Sequence, residues 1–283
     1  MKTLYLDIFS GLSGDMFIGA LLDLGVDFHE LERELGKLNL DGYHLHAGRQ
    51  KKSQIEGVKF DVHLAHEHHH SEEEDHHHDE GAKHSHTHAH DEHHHPHEPT
   101  HADDTQHTHS HGGELGGHEP SHGDEHEHEH GRNFSEIKKL ISDSSLSPWV
   151  KGKSVAVFQR IAVAEGKIHG MPPEQVHFHE VGAVDSIVDI VGACIAVELL
   201  GGPRILASKV VEGTGWINCA HGRFPIPAPA TLSILGARGI AVSQCDEPSE
   251  LVTPTGAALL AELVENFGPM ENLVATRIGF GLG

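Results

Sequence analysis

A short segment in the second half of the chain concentrates side chains that can bind metals and transfer protons. His177, His179 and Glu180 lie within four residues of one another, and Asp185 and Asp189 follow. Alternate residues of an extended backbone point to the same side, so the two imidazoles would face together. If a helix begins just before Asp185, the two aspartates lie one turn apart on one face of it. Two imidazoles and up to three carboxylates suit either a divalent-metal site or a general acid–base group.

The aspartates of this segment also have a purely structural explanation. Acidic side chains are favoured near a helix N-terminus by the helix dipole, and Ser186 and Asp189 have the spacing of a capping box. Capping does not explain the His-x-His-Glu run, so we favour a functional role for the segment. The predicted metal ligands are His177, His179 and Glu180, and the predicted acid–base groups are His179, Glu180, Asp185 and Asp189.

A glycine-rich turn follows the first predicted strand and precedes the first predicted helix. Its candidate binding residues are Ser10, Gly11, Ser13, Gly14 and Asp15. Backbone N–H groups at such a turn and helix start can hold a phosphate. The turn matches neither GxxxxGK[ST] nor GxGxxG, and a tight turn with Asp15 as a helix cap explains it equally well.

Two further segments contain candidate binding residues. Trp216 could stack on a heteroaromatic ring and Arg223 could hold an anion, although a packed tryptophan beside a turn is the commoner arrangement. Between them lies His221, a further candidate metal ligand. Glu250, just before a predicted helix, could bind metal or transfer a proton, whereas the nearby threonines Thr253 and Thr255 could simply cap that helix.

The chain places 24 of its 32 histidines between residues 66 and 130. Imidazole is a good ligand for nickel, copper and zinc. The stretch has too few apolar residues to form a core, so we expect a disordered metal-binding insertion. Alternatively, it is only a solvated linker. The clustered candidate ligands are His68, His69, His70, His76, His77, His78, His93, His94 and His95.

Composition limits the class of protein. Residues 65–131 contain 18 acidic residues and one lysine, so most of the net charge of −23 is local to the insertion. This argues against nucleic-acid binding by the folded part. Three widely spaced cysteines, Cys194, Cys219 and Cys245, favour reduced thiols in the cytoplasm. We expect neither a signal peptide nor a membrane span, since no apolar run is long enough.

The hydrophobic periodicity predicts an α/β fold, a layered mixed sheet with flanking helices, interrupted by the insertion. Residues 1–65 form the first part of the core, residues 66–132 the insertion, and residues 133–283 the remainder with the candidate active site. Strands are predicted at 2–8, 43–49, 57–64, 205–211, 240–243 and 274–280. Helices are predicted at 16–24, 28–38, 134–141, 148–169, 181–200, 230–235 and 255–267, and residues 223–229 are predicted to be an extended, proline-fixed loop.

Five blocks of the sequence resemble the LarC-type nickel insertion protein family, which also often carries an internal His-rich insertion. The blocks are YLDIFSGLSGDMFIGALLDLG, HFHEVGAVDSIVDIVG, GTGWINCAHGRFPIPAPA, ELVTPTGAAL and RIGFGLG. The resemblance covers essentially every residue outside the insertion. It identifies the chain as similar to the N-terminal portion of the pyridinium-3,5-bisthiocarboxylic acid mononucleotide nickel insertase, or cyclometallase.

The resemblance implies a specific reaction. Nickel is inserted into a pyridinium mononucleotide with two thiocarboxylates, through two Ni–S bonds and one Ni–C bond, and CTP with Mg²⁺ or Mn²⁺ is converted to CMP and diphosphate. The product is the nickel-pincer nucleotide cofactor of lactate racemase-type enzymes. The family's C-terminal domain, associated with CTP binding, is not in this sequence, so we expect a homo-oligomer or a complex with such a part. His177, His179 and Glu180 would deliver nickel or accept the ring proton.

Two other functions compete with this interpretation. The chain could be a nickel storage protein or metallochaperone that acts through the histidine tract. It could also be a hydrolase with a metal centre built from the His-x-His-Glu run and the two aspartates.

Overall fold

The computed structural model describes residues 2–64, 131–178, 183–219 and 222–283, and all structural statements below concern these residues. They contain seven α-helices: α1 (Gly14–Asp23), α2 (Phe28–Leu35), α3 (Phe134–Asp143), α4 (Pro148–His169), α5 (Val184–Leu199), α6 (Pro229–Ala237) and α7 (Pro254–Leu263). The strands are β1 (Thr3–Leu6), β2 (Tyr43–Lys52), β3 (Ile55–Leu64), β4 (Arg204–Ala207), β5 (Val210–Glu212), β6 (Gly215–Cys219), β7 (Gly222–Ile226), β8 (Val242–Gln244), β9 (Asn266–Phe267) and β10 (Gly281–Leu282). The predicted histidine insertion lies outside the described residues, except for Gly131 and Arg132.

The α/β class is confirmed, and the strands are distributed over four small sheets. The first sheet is parallel, in the order β1-β4-β9, and the second is mixed, in the order β10-β3-β2. A parallel pair, β5-β8, and an antiparallel pair, β6-β7, complete the set. The helices cover these sheets and contribute most of the buried core.

Helix α5 forms the centre of the core. Its apolar residues are buried on every side, which is typical of a helix enclosed by other elements. It packs against α1, α2, α4 and α7. Because its N-terminal end carries Asp185 and Asp189, the same packing fixes the position of the predicted site.

Local capping explains where several helices begin. The side chain of Asp27 accepts a hydrogen bond from the backbone of Glu30, and the side chain of Ser147 accepts one from Val150 with Pro148 in the first helical position. Thr253 caps α7 in the same way, so the capping explanation for this threonine is confirmed. Each cap satisfies a backbone donor that the helix leaves unpaired.

Four predicted elements are wrong. The predicted strand at 205–211 is two strands, β4 and β5, in different sheets, and the predicted helix at 255–267 ends at Leu263 and is followed by β9. Residues 274–280 are not a strand; the only strand at this end is β10, which pairs in parallel with β3 at Val58 and Lys59. Gly281 lies so close to the carbonyl of Met16 on α1 that a side chain would not fit. The predicted proline-fixed loop at residues 223–229 is instead largely β7, paired with β6, and Pro225 lies opposite Trp216. A proline can occupy such an edge position, where it need not donate to the ladder.

No helix among the described residues is long and apolar enough to cross a membrane.

Candidate functional site

The two predicted aspartates lie one turn apart at the start of α5. Ala183 is the N-cap residue, with no side-chain capping bond, and the helix begins at Val184. Asp185 is exposed, whereas Asp189 turns towards the core. The predicted capping box of Ser186 and Asp189 is wrong, because both residues lie inside the helix.

Asp189 instead contacts the glycine-rich turn at the start of α1. Its carboxylate accepts a hydrogen bond from the backbone N–H of Asp15, so it occupies the end of the α1 helix dipole. A β-carbon at Gly14 would lie 2.6 Å from the β-carbon of Asp189, so only glycine allows this approach. The position of the turn and the position of Asp189 therefore depend on each other.

Asp189 has an unusual electrostatic environment. Its Oδ1 atom is buried and has no hydrogen-bond partner among the described residues. Burial, followed by the negative charges of Asp15 and Asp185, raises the pKa of Asp189 from 3.8 to about 8. A carboxyl group with a pKa near neutrality can both accept and release a proton at physiological pH.

Lys59 on β3 partly neutralises this acidic cluster. Its Nζ atom lies 3.1 Å from a carboxylate oxygen of Asp15 and 3.3 Å from one of Asp61. Burial alone would lower the pKa of Lys59, but the hydrogen bonds and charges of these two aspartates raise it. Ser13 donates a further hydrogen bond to Asp15. The carboxylate of Asp15 is thereby held in place by Lys59 and Ser13.

The glycine-rich turn is anchored to the segment before α7. The N–H of Leu12 donates to the carbonyl of Leu251 at 2.9 Å, and the N–H of Thr253 donates back to Leu12. The buried carboxylate of Glu212 holds this segment by accepting hydrogen bonds from the N–H groups of Gly213, Leu251 and Val252, at 2.8, 2.6 and 3.0 Å. Glu212 is thus a positioning residue for the turn.

These contacts bear directly on the predicted phosphate site. The N–H groups of Leu12 and Asp15 already donate within the protein. The carboxylates of Asp15 and Asp189 lie where an anion would approach the helix start, and like charges repel. Phosphate binding by Ser10, Gly11, Ser13, Gly14 and Asp15 stays a prediction, but the arrangement is better suited to a cation.

Trp216 and Arg223 lie together on the β6-β7 hairpin. The Arg223 guanidinium carbon is 4.7 Å from the centre of the Trp216 ring, a cation–π contact. Trp216 is 58% exposed, so it is not the packed tryptophan of the alternative explanation. The hairpin offers an aromatic surface and a cationic group on one face, and the roles of both residues stay predictions.

The histidines of the predicted metal site are only partly described. His177 is exposed, and its backbone bridges that of Asn133 at the start of α3, between the buried side chains of Val176 and Phe178. His179, Glu180 and His221 lie outside the described residues, as do the tract histidines His68, His69, His70, His76, His77, His78, His93, His94 and His95. In the part of the chain that is described, no three His, Cys, Asp or Glu side chains are arranged to hold a metal ion.

Lys59 and Glu212 were not predicted as site residues. Lys59 could have been found from the alternation of β3, which places Lys59, Asp61 and His63 together on its polar face. Glu212 offers no comparable signal, because nothing local to its strand indicates that a carboxylate there is fully buried.

The α/β core thus carries an acidic turn with a buried aspartate beside it, and a hairpin with an exposed Trp–Arg pair. The chain belongs to the nickel insertion protein family, whose model matches residues 4–283.

Its relatives carry a more specific name. It is 44% identical to the pyridinium-3,5-bisthiocarboxylic acid mononucleotide nickel insertion protein of Lactiplantibacillus plantarum, over 100% of this chain and 58% of that protein. The proteins of the same name from Geobacillus kaustophilus and Desulfitobacterium hafniense are 41% and 38% identical, with 56% and 55% of their lengths covered. The chain therefore spans a little over half the length of these relatives. No solved structure matches it.

Proposed function

We propose that this chain inserts nickel into pyridinium-3,5-bisthiocarboxylic acid mononucleotide, in a CTP-dependent reaction that forms the nickel-pincer nucleotide cofactor. The names of the relatives and the family match support the nickel chemistry. The finer assignment is a cyclometallase of the lyase class that converts CTP, with Mg²⁺ or Mn²⁺, to CMP and diphosphate. We place the reaction in the cytoplasm, in keeping with the free thiols of Cys194 and Cys245.

The observation that carries the proposal is the state of Asp189. Forming a Ni–C bond to the pyridine ring requires loss of one ring proton, so a base must stand beside the reacting carbon. Asp189 has a buried, unpartnered Oδ1 atom and a raised pKa, the properties of a carboxylate reserved for proton transfer. We propose that the ring C–H proton passes to the ionised form of Asp189, whose share rises as the pH approaches 8, while the electron pair of the C–H bond forms the bond to nickel.

We assign the other residues to different parts of the substrate or to nickel. Asp15 and Asp185 add negative charge around Asp189, which favours a pyridinium cation and a divalent metal. The exposed ring of Trp216 would stack on the pyridinium, and Arg223 would hold the phosphate. His177, His179, Glu180 and His221 are kept as nickel-delivery ligands, from which the softer sulfur atoms of the substrate withdraw the metal.

The test is mass spectrometry of the pincer nucleotide. The chain is incubated with the mononucleotide, Ni²⁺, CTP and Mg²⁺, alone and together with the remaining part of a full-length relative. We expect the nickel-containing product with the wild-type chain and at least about a hundredfold lower rate with Asp189→Asn, the scale of losing a general base. Asp246→Asn is the matched control, because this exposed residue lies outside the acidic cluster around Asp189. A wild-type rate with Asp189→Asn would refute the assignment of the base.

A second candidate function, nickel storage, is favoured by the 24 histidines of the tract. Replacing residues 66–130 by a short linker distinguishes nickel storage from nickel insertion. A nickel-inserting enzyme should need more nickel but keep its maximal rate, whereas a storage protein should lose most of its nickel capacity with no pincer product made by either form.

A further inference from the structure

Three histidines lie on the outer face of the β2-β3 hairpin, away from the candidate site. His44 and His63 are directly opposite each other in the antiparallel register, and His46 is two residues further along β2. All three are exposed, while the alternate residues of both strands pack against the core. Three of the eight histidines outside the tract are therefore concentrated on one small surface.

The imidazoles are close enough to share a ligand. The ring centres of His44 and His63 are 5.1 Å apart, and those of His46 and His63 are 6.3 Å apart. A metal-bound nitrogen lies about 2 Å from the ion, so two imidazoles on adjacent ligand positions have ring centres about 4.5–5 Å apart. The first pair already has this separation, and the second must close by about 1.5 Å.

The orientation of the rings, more than the distance between them, must change before the three histidines can bind a metal ion. The rings of His44 and His63 are stacked, with only 13° between their planes, so their nitrogens do not converge on one point. Metal binding therefore requires these exposed rings to rotate between rotamers, which is a fast motion. Asp61, which faces His46 across the ladder, is paired with Lys59 at 3.3 Å, so the three imidazoles are the proposed ligands. A cation that prefers imidazole nitrogen would therefore draw the rings together.

The three histidines lie between the start of the histidine tract and the candidate site. β3 ends at Leu64, two residues before the first tract histidine, His66, so the cluster lies at the root of the tract. At the other end of the same face, Lys59 bonds to Asp15 of the candidate site. His63 and Lys59 are four residues apart on one strand, about 14 Å.

We propose that His44, His46 and His63 form a binding site for a divalent transition metal, through which nickel enters the folded domain. Metal binding by the three histidines does not depend on the proposed function. Their role as an entry site for nickel rests on it. The ligand class follows from the donors, since imidazole selects nickel, copper and zinc over magnesium and calcium.

The test is a histidine footprint of the full chain. Diethyl pyrocarbonate acylates free imidazole nitrogens, and peptide mass spectrometry resolves each labelled histidine. Free Ni²⁺ is buffered at a series of concentrations, so uptake by the tract does not deplete it. When free nickel is ten times the dissociation constant, labelling of His44, His46 and His63 should fall by about tenfold. His29, an exposed histidine of α2, should keep its labelling rate, and Mg²⁺ should protect none of them.

Cooperation between the histidines is tested by substitution. His63→Gln removes the central ligand, so protection of His44 and His46 should require at least about tenfold more nickel. His29→Gln is the matched control and should change nothing. The proposal is overturned if the three histidines are labelled like His29 at every nickel concentration, or if His63→Gln leaves the protection of the other two unchanged. No substrate or CTP is present, so this result stands or falls separately from nickel insertion.

Discussion

Replacing Asp189 by asparagine should stabilise the protein while removing its proposed base. Asparagine keeps the shape of the side chain and an oxygen that can accept the hydrogen bond from the backbone of Asp15. It is uncharged in both the folded and the unfolded chain. The change therefore isolates the free energy of holding this carboxyl group in a buried, acidic environment.

The size and sign of the effect follow from linkage. The pKa of Asp189 rises from 3.8 unfolded to about 8 folded, so the folded protein binds the extra proton between these values. The contribution of Asp189 to stability is thus fully present below about pH 4 and is lost as the pH rises towards 8. At 1.36 kcal/mol per pH unit, the loss at pH 7 has an upper limit of about 4 kcal/mol, and local relaxation reduces this to about 2–3 kcal/mol.

Urea denaturation of both proteins at several pH values measures this difference. Asp189→Asn should be about as stable as wild type near pH 4 and more stable by about 2–3 kcal/mol at pH 8. All other titratable groups are common to both proteins, so their contributions cancel in the difference. Asp246→Asn, at an exposed position outside the acidic cluster, is the control and should not show this stabilisation at pH 8. A difference that does not vary with pH, or a less stable variant at pH 8, would refute the reasoning.

Three further predictions test buried contacts, two at the site and one between α4 and α7, where Lys153 and Arg160 bond to Glu262. Glu212→Gln should destabilise the fold by about 2–4 kcal/mol, because an amide N–H₂ would face the N–H of Val252; urea denaturation and faster amide exchange at Val252 would show it. Gly14→Ala should cost about 1–3 kcal/mol through its clash with Asp189, whereas a β-carbon at Gly152 meets no atom within 4 Å, so Gly152→Ala should not destabilise in thermal denaturation. Glu262→Gln should cost about 1–3 kcal/mol at neutral pH, measured by urea denaturation.

The pH dependence of the Glu262 prediction has the opposite sign to that of Asp189. Burial alone would raise the pKa of Glu262, but hydrogen bonds and charges from Lys153 and Arg160 lower it below 4.5. Its contribution is therefore present above the ordinary value and is lost as the pH falls through the folded value. The difference between wild type and Glu262→Gln should shrink in acid, and a constant difference would contradict the assignment. Unchanged exchange at Val252, or equal effects of the two alanine substitutions, would contradict the others.

The hydrophobic periodicity of the sequence was sufficient to predict those helices and strands whose pattern lies within the element itself. The helix start that places Asp185 and Asp189 one turn apart follows from the apolar run of α5, and the alternation of β3 defines its buried face. The β6-β7 hairpin was missed because Pro225 indicated a loop, and its compatibility with an edge position depends on the partner strand.

The chemistry of the site depends on contacts between distant segments. The sequence shows that Asp189 is a candidate acid–base group, but its burial against Gly14 joins residues far apart in the chain. The same is true of Glu212, whose role depends on hydrogen bonds from the distant N–H groups of Leu251 and Val252. Local patterns cannot reveal a pKa that is set by the tertiary structure.

The close packing of Gly281 against α1 has a mechanical consequence. The helix is held on one side by β3 and β10, where Gly281 touches Met16, and on the other by α5, where Gly14 touches Asp189. Met16 and Gly14 both lie in the first turn of α1, so the two contacts meet at one end of the helix. A displacement of β10 would therefore act directly on the turn of α1 that packs against Asp189.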